Sequence, residues 1–182
     1  LIIIGGINGP LHNAVVAVLT PLNKKKGGIV LTQVSIKLSI LLFILAILIY
    51  SNSSLLIELL APNLSSEAKS IATYQLQILT PCIPLSGFIG LSFGALNSQG
   101  KFFLSSISPA ITSVTTIFFI LFSWIFNQEN TSSNFFTYTG LLAYATLTGT
   151  LIQFVVQILE INKIGLLRLK SNFQLFNDEE RR

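Results

Sequence analysis

A single histidine stands at position 12, close to Asn8, Asn13 and the helix breakers Gly9 and Pro10. Residues four apart stack on one side of a helix, so Asn8 and His12 share a face. Amide and imidazole groups on such a face have two uses. They line a wet cavity and meet a polar substrate, or they hydrogen-bond to neighbouring helices, and both readings stay open here. Lys37 is the other candidate, a lone cation about ten residues into an apolar run, which either snorkels to an aqueous surface or faces a cavity and meets an anionic substrate. Catalysis has no comparable candidates. The chain carries no HExxH, GxSxG or Gly-rich phosphate loop, and His12 has no nucleophile or metal ligand at motif spacing. Neither an enzyme, nor a metal site, nor a cofactor is expected. The single cysteine, Cys82, lies in an apolar segment and has no partner within the chain, which excludes a disulfide framework or a CxxC site.

The elements that must hold these residues are membrane helices. Hydrophobic residues make up 51% of the 182 positions and charged residues 10%, with a mean hydropathy of +0.72. An ordinary soluble domain is about 25% charged. Five apolar stretches come near the roughly 20 residues that a helix needs to cross about 30 Å of hydrocarbon. They are Leu1–Leu22, Gly27–Tyr50, Ile71–Leu96, Phe102–Phe126 and Phe135–Leu159. Backbone groups in lipid must pair within the segment, and the strict alternation of a barrel strand is missing, so the fold class is all-α, a polytopic membrane bundle. The chain lacks methionine and opens on "LIIIGG", which reads as an internal piece of a longer protein. No signal-peptide pattern surrounds Leu1–Leu22.

Charge gives the expected orientation. With five spans, the turns Asn23–Lys26 and Asn97–Lys101 and the tail Glu160–Arg182 share one side. That side holds nine cations, Lys24, Lys25, Lys26, Lys101, Lys163, Arg168, Lys170, Arg181 and Arg182, and the other holds only Lys69. The positive-inside rule then places the first residue outside and the tail in the cytoplasm. The net charge of +4 and pI near 9.4 do not imply nucleic acid, because the basic residues flank apolar segments and form no aromatic-interleaved patch. Between Ser51 and Ser70, "SSLLIELLAPNLSSEA" holds an apolar patch too short to span. It is expected at the outer interface or as an extension of the second helix.

Several residues inside the spans bear on bending and packing. Pro81 and Pro84 remove backbone donors and predict a bend near Thr80 to Pro84 in the third span. Gly90 and Gly94 make a GxxxG face that admits close helix approach. Small polar residues crowd the fourth span around Pro109, and in the fifth Gln153 and Gln157 stack on one face, turned toward protein.

The stretch "GALNSQGKFFLSSISPA", Gly94 to Ala110, resembles the loop between the fourth and fifth helices of the MurJ (MviN) lipid II flippase family. Asn97, Ser98, Gly100, Phe102 and Pro109 match, with Lys101 in place of the usual arginine. "LLAPNLSSEAKSIATYQLQILTPCIPL" looks like that family's Ala-Pro-Gly-Phe outer loop and fourth helix, with Asn63-Leu64 replacing Gly-Phe. "GTLIQFVVQILEINKIGL" is similar to its sixth helix, with Gly149, Gln153, Gln157 and the Lys163-Ile164-Gly165 exit. The resemblance runs in order along almost the whole chain. It implies that the five spans are helices two to six, part of the N-terminal lobe, of a fourteen-helix transporter in the MATE-like MOP exporter superfamily.

For such a parent the resemblance implies a bacterial cytoplasmic-membrane location and alternating-access movement of a lipid-linked peptidoglycan precursor from the inner to the outer leaflet. The implied partners are a lipid-linked oligosaccharide of the undecaprenyl-pyrophosphate type, membrane lipids and the remaining helices of the full-length transporter. The candidate cavity residues are Asn8, His12, Asn13 and Lys37. In typical members the second helix carries a paired arginine, a glutamate and a glycine where this chain has Ile3, Ile4, Asn8 and Gly9, so its usual charges are absent. Export of another polysaccharide lipid or a drug, and a non-transporting membrane remnant, are the alternatives.

Overall fold

The computed structural model describes residues 12–126 and 135–167. Helices are the regular structure throughout the described residues: α1 over residues 12–19, α2 (Lys24–Ser51), α3 (Ser53–Leu60), α4 (Ser66–Leu79), α5 (Cys82–Ser98), α6 (Phe102–Phe126) and α7 (Phe135–Lys163). Of these, α2, α6 and α7 are long and apolar enough to cross a membrane, and the bent pair α4–α5 adds a fourth such stretch if it is one span. At 1.5 Å per residue a helix as long as α2 measures about 42 Å, more than the roughly 30 Å of hydrocarbon.

The stretch 71–96, expected as one span bent near Thr80 to Pro84, is built of two helices. Helices α4 and α5 meet at 46° across the break between Leu79 and Cys82, and the prolines explain how. Pro81 has no N–H for the carbonyl of Gln77, which instead accepts from the Thr80 hydroxyl at 2.7 Å. Pro84 has none for the carbonyl of Thr80, which takes a tighter bond from the Ile83 amide at 3.1 Å. Pro81 becomes the N-cap of α5 and Pro84 falls in its first turn, where a missing amide hydrogen costs no helical bond. Pro109, by contrast, lies inside α6, which continues through it.

The connection 51–70 holds a separate helix. α3 follows α2 after Asn52, whose side chain donates to the Leu48 carbonyl at 2.9 Å, and it is tied to α4 by a Gln77 Nε2 to Ser53 Oγ bond of 3.0 Å. Leu55, Leu59 and Leu60 of α3 stay exposed. α4 then starts at Ser65, whose hydroxyl accepts from the Ala68 amide, with Glu67 in the first turn, where an anion favours the helix dipole.

α5 occupies the middle because its side chains are small. Gly87, Gly90, Ser92, Gly94 and Ala95 are buried, and α2, α6 and α7 all pack against this helix. A methyl on Gly87 would collide with Leu42 Cδ1, and one on Gly94 would stand 2.6 Å from Val15 Cβ. One apolar cluster of Leu19, Leu31, Leu91, Leu96, Ile161 and Leu166 joins α1, α2, α5 and the end of α7. The outer faces of α2 and α6 show the opposite pattern, with Phe43, Ile44, Phe118 and Trp124 exposed. Apolar surface on that scale suits lipid or further helices, not water.

Two of the helix ends beside that cluster close in the same way. At α5 the Lys101 amide bonds the Leu96 carbonyl and the Gly100 amide that of Asn97, with Gly100 at φ 71°. At α7 the Leu166 amide bonds Ile161 and the Gly165 amide bonds Asn162, with Gly165 at φ 75°. Both are Schellman caps, in which glycine supplies the left-handed residue. The three lysines Lys24, Lys25 and Lys26 form the first turn of α2 behind the Asn23 cap. Cations at a helix N-terminus oppose its dipole, so their placement serves the surroundings of the helix and not its own stability.

Candidate functional site

His12 turns toward the centre of the bundle. Its Nε2 lies 3.2 Å from the Asn97 side-chain nitrogen at the end of α5, and the Asn97 side-chain oxygen accepts from the Ser105 hydroxyl in the first turn of α6. Ser105 also reaches the Phe102 carbonyl at 2.9 Å. Three elements therefore meet in one polar cluster. Gly94 makes it possible: with no side chain there, the His12 carbonyl and Val15 come within about 3 Å of where its Cβ would be, and α1 settles directly on α5. Of the two readings open for the Asn8 and His12 face, the described geometry places His12 in interhelical hydrogen bonding. Asn8 lies outside the described residues, and Asn13 is exposed.

Lys37 is exposed on α2. The helix buries Gly27, Gly28, Leu31, Thr32, Ser35 and Ala46, a stripe advancing three to four residues at a time. Nine residues from both Gly28 and Ala46, Lys37 points to the opposite side at 100° per residue. It shares that outer face with Ile36, Ile40, Leu41 and Ile44. Lys37 and His12 do not converge on one chamber among the described residues. Between α1, α2 and α5 there is instead an apolar cleft of about 160 Å³, lined by residues such as Ala14, Val18, Val30 and Val34. It offers nothing to a phosphate.

The α6–α7 seam carries a second polar arrangement. Gln157, fully buried, donates from Nε2 to the Ser108 hydroxyl at 2.9 Å. Thr112 donates to Gln153 Oε1 at 3.0 Å. Four residues forward on α6 match four residues back on α7, the register of antiparallel neighbours. Gly149 continues the seam, since a methyl there would meet Thr112 Cα at 2.8 Å. The Gln157 Oε1 atom is buried without a hydrogen-bond partner. Toward the other end of the bundle, Tyr74 and Tyr144 hydroxyls join α4 to α7 at 3.3 Å, and Phe88 meets Phe154 edge to face at 5.0 Å.

Sequence reasoning placed His12, Gln153 and Gln157 on faces but did not name what they meet. Asn97 was legible as part of a connection that resembles the family's loop, and Ser105 as one of a crowd of small polar residues. Ser108 and Thr112 share a spacing of four with the two glutamines, and that match is the pattern from which the pairing could be read.

Apolar outer faces, small-residue seams and polar side chains paired across helices define a polytopic helical membrane protein. The comparisons with known proteins then give the family. The family model "Lipid II flippase MurJ" matches residues 1–180, and the chain belongs to that family. It is 37% identical over 178 residues to a protein named probable lipid II flippase MurJ from Synechocystis, which covers 96% of this chain and 33% of the relative. It is 31% identical over 110 residues to the lipid II flippase MurJ of Thermosipho africanus, covering 58% of this chain and 23% of that relative. The chain thus spans about a third of the first relative's length and about a quarter of the second's. No solved structure matches it significantly.

Proposed function

We propose that this chain forms most of one lobe of a lipid II flippase, which moves a lipid-linked peptidoglycan precursor from the inner to the outer leaflet of the bacterial cytoplasmic membrane by alternating access. The observation that carries the proposal is the family match along residues 1–180. The packing fits a lobe that moves as a unit. α5 is ringed by close-packed neighbours through glycine and serine, and paired polar side chains hold α6 to α7. Rocking one such body against another around a midplane site is how this class of transporter exposes a site to either side. The pyrophosphate and sugars need a wet, positive chamber, and the polyprenyl tail stays in lipid.

In this reading the five apolar stretches cross the membrane, the first residue is outside and the tail is cytoplasmic. Lys24, Lys25, Lys26, Lys101 and Lys163 then stand at the inner surface, as the positive-inside rule requires. Lys37, on the outer face of α2, is the residue of this chain that meets the anionic part of the substrate once the remaining helices close around it. The whole transporter containing this chain should restore growth to a bacterium depleted of its own lipid II flippase, and Lys37→Ala should lower that rescue. Failure of the unsubstituted protein, inserted and stable, to rescue refutes the flippase reading; undiminished rescue by Lys37→Ala removes Lys37 from the chamber.

A further inference from the structure

We infer that His12, Asn97 and Ser105 form a proton-binding site in which the Asn97 side-chain amide reverses when His12 takes up a second proton. The inference does not depend on the transported substrate. It begins from the direction of the hydrogen bonds. The Asn97 oxygen accepts from Ser105, so the Asn97 nitrogen faces His12 Nε2 at 3.2 Å. An amide nitrogen only donates, and Nε2 must then be the bare, accepting nitrogen of a neutral ring whose proton sits on Nδ1.

A proton arriving at Nε2 from the aqueous phase turns that nitrogen into a donor. Two donors then face each other across the Asn97 contact. Withdrawing α1 would open the contact that seats its backbone on Gly94, with the His12 carbonyl 2.9 Å from the position of a Cβ there. Half a turn of the amide about its terminal torsion resolves the conflict. The Asn97 oxygen then accepts from Nε2–H, and the nitrogen donates to Ser105 Oγ. The Ser105 proton, displaced from Asn97, has the Phe102 carbonyl at 2.9 Å as its alternative acceptor. One proton is gained from water, no covalent bond other than the new N–H changes, and the contacts of Asn97 with His12 and with Ser105 each keep one donor and one acceptor in both states.

That second acceptor for Ser105 distinguishes this cluster from an ordinary polar tie. The buried Gln157 to Ser108 pair has no comparable exchange of roles and leaves Gln157 Oε1 unpartnered. Access is short as well. Asn97 and Ser105 each lie four residues from Lys101 in the exposed α5–α6 turn. Among the described residues, the other titratable groups on the elements meeting here are Lys101 and, at the far end of α5, Cys82; α1 and α6 bring none besides His12. From α2 and α7, which pack on α5, Lys24, Lys25, Lys26, Glu160 and Lys163 stand at the same end, and Lys37 lies on the outer face of α2.

His12 is the sole histidine of the chain, so 15N-histidine labelling gives one unambiguous ring. The chain, labelled also at asparagine and held in lipid nanodiscs, is titrated by NMR, with Asn97 assigned by its absence in Asn97→Leu. At high pH the ring nitrogen without a proton should be Nε2, and the Asn97 amide resonances should move with the same pH midpoint as the ring. In Asn97→Leu the ring should lose its preference for the Nδ1–H form. A wild-type ring protonated on Nε2 at high pH, or an Asn97 amide indifferent to the ring's titration, overturns the inference. The ring reading needs only the wild-type chain, so it decides the matter even if the variant folds poorly.

Discussion

Gly149→Ala tests whether α6 and α7 touch through their backbones. The added Cβ would stand 2.8 Å from Thr112 Cα, 3.1 Å from Thr112 Cγ2 and 3.2 Å from the Thr112 carbonyl oxygen. Comfortable carbon contacts begin near 3.5 Å, so the helices must part by about 0.7 Å. Parting them stretches the adjoining Thr112–Gln153 and Ser108–Gln157 bonds, now 3.0 and 2.9 Å, past the roughly 3.2 Å limit of a good hydrogen bond. Overpacking costs about 1–3 kcal/mol, and each interhelical bond in a membrane contributes about 0.6 kcal/mol. Against this, alanine gains about 1 kcal/mol over glycine as a helix former. The net is a loss of about 1–3 kcal/mol, read as a shifted midpoint when the protein is unfolded by denaturing detergent in mixed micelles. Thr112→Ser removes Cγ2 but leaves Cα, so it should restore only part of the loss. A Gly149→Ala protein more stable than the parent would behave as a glycine with open space around it, and full rescue by Thr112→Ser would mean that the side chain and not the backbone made the contact. Either result refutes the reasoning.

Other substitutions probe the remaining devices in the same assay. Ser108→Ala strands the buried Gln157 amide and should cost about 1–3 kcal/mol, whereas Ser108→Ala with Gln157→Leu should recover most of it, because both polar groups leave together; a double variant worse than the sum of its parts would contradict this. Gly100→Ala meets no atoms but must hold a left-handed backbone, at about 1–2 kcal/mol, and Gly100→Asn should cost less; equal losses would mean that the glycine is kept for another reason. Asn23→Ala should lose about 1 kcal/mol with the α2 cap, and Asn23→Asp should match or exceed the parent, since its charge meets both the helix dipole and Lys24 to Lys26; destabilisation by aspartate would disprove the capping account.

How far the residues were legible in the sequence differs from one to the next. The prolines and glycines spoke for themselves, since their effects are local. Pro81 and Pro84 remove specific hydrogen bonds wherever they stand, and the bend follows; that they cut the stretch into two helices depended on the Thr80 hydroxyl and the Ile83 amide, which take over the orphaned carbonyls. His12 could be placed on a helix face, but its partner lies 85 residues away, beyond the reach of any periodicity. Lys37 could be recognised as costly. Which way it points follows from the stripe of α2 that packs on α5, and that stripe is set by α5 as much as by α2.

The sequence alone determined that this is a helical membrane chain, because apolar runs of that length leave the backbone no partner other than itself. It also determined the basic turns and, at Gly94, a site of close approach, which depend on residue type. Only the tertiary structure decided which faces meet: α1 on Gly94, Gln157 on Ser108, and His12 on Asn97. Those choices rest on the fit of surfaces contributed by distant segments, and a helix on its own turns every side outward equally.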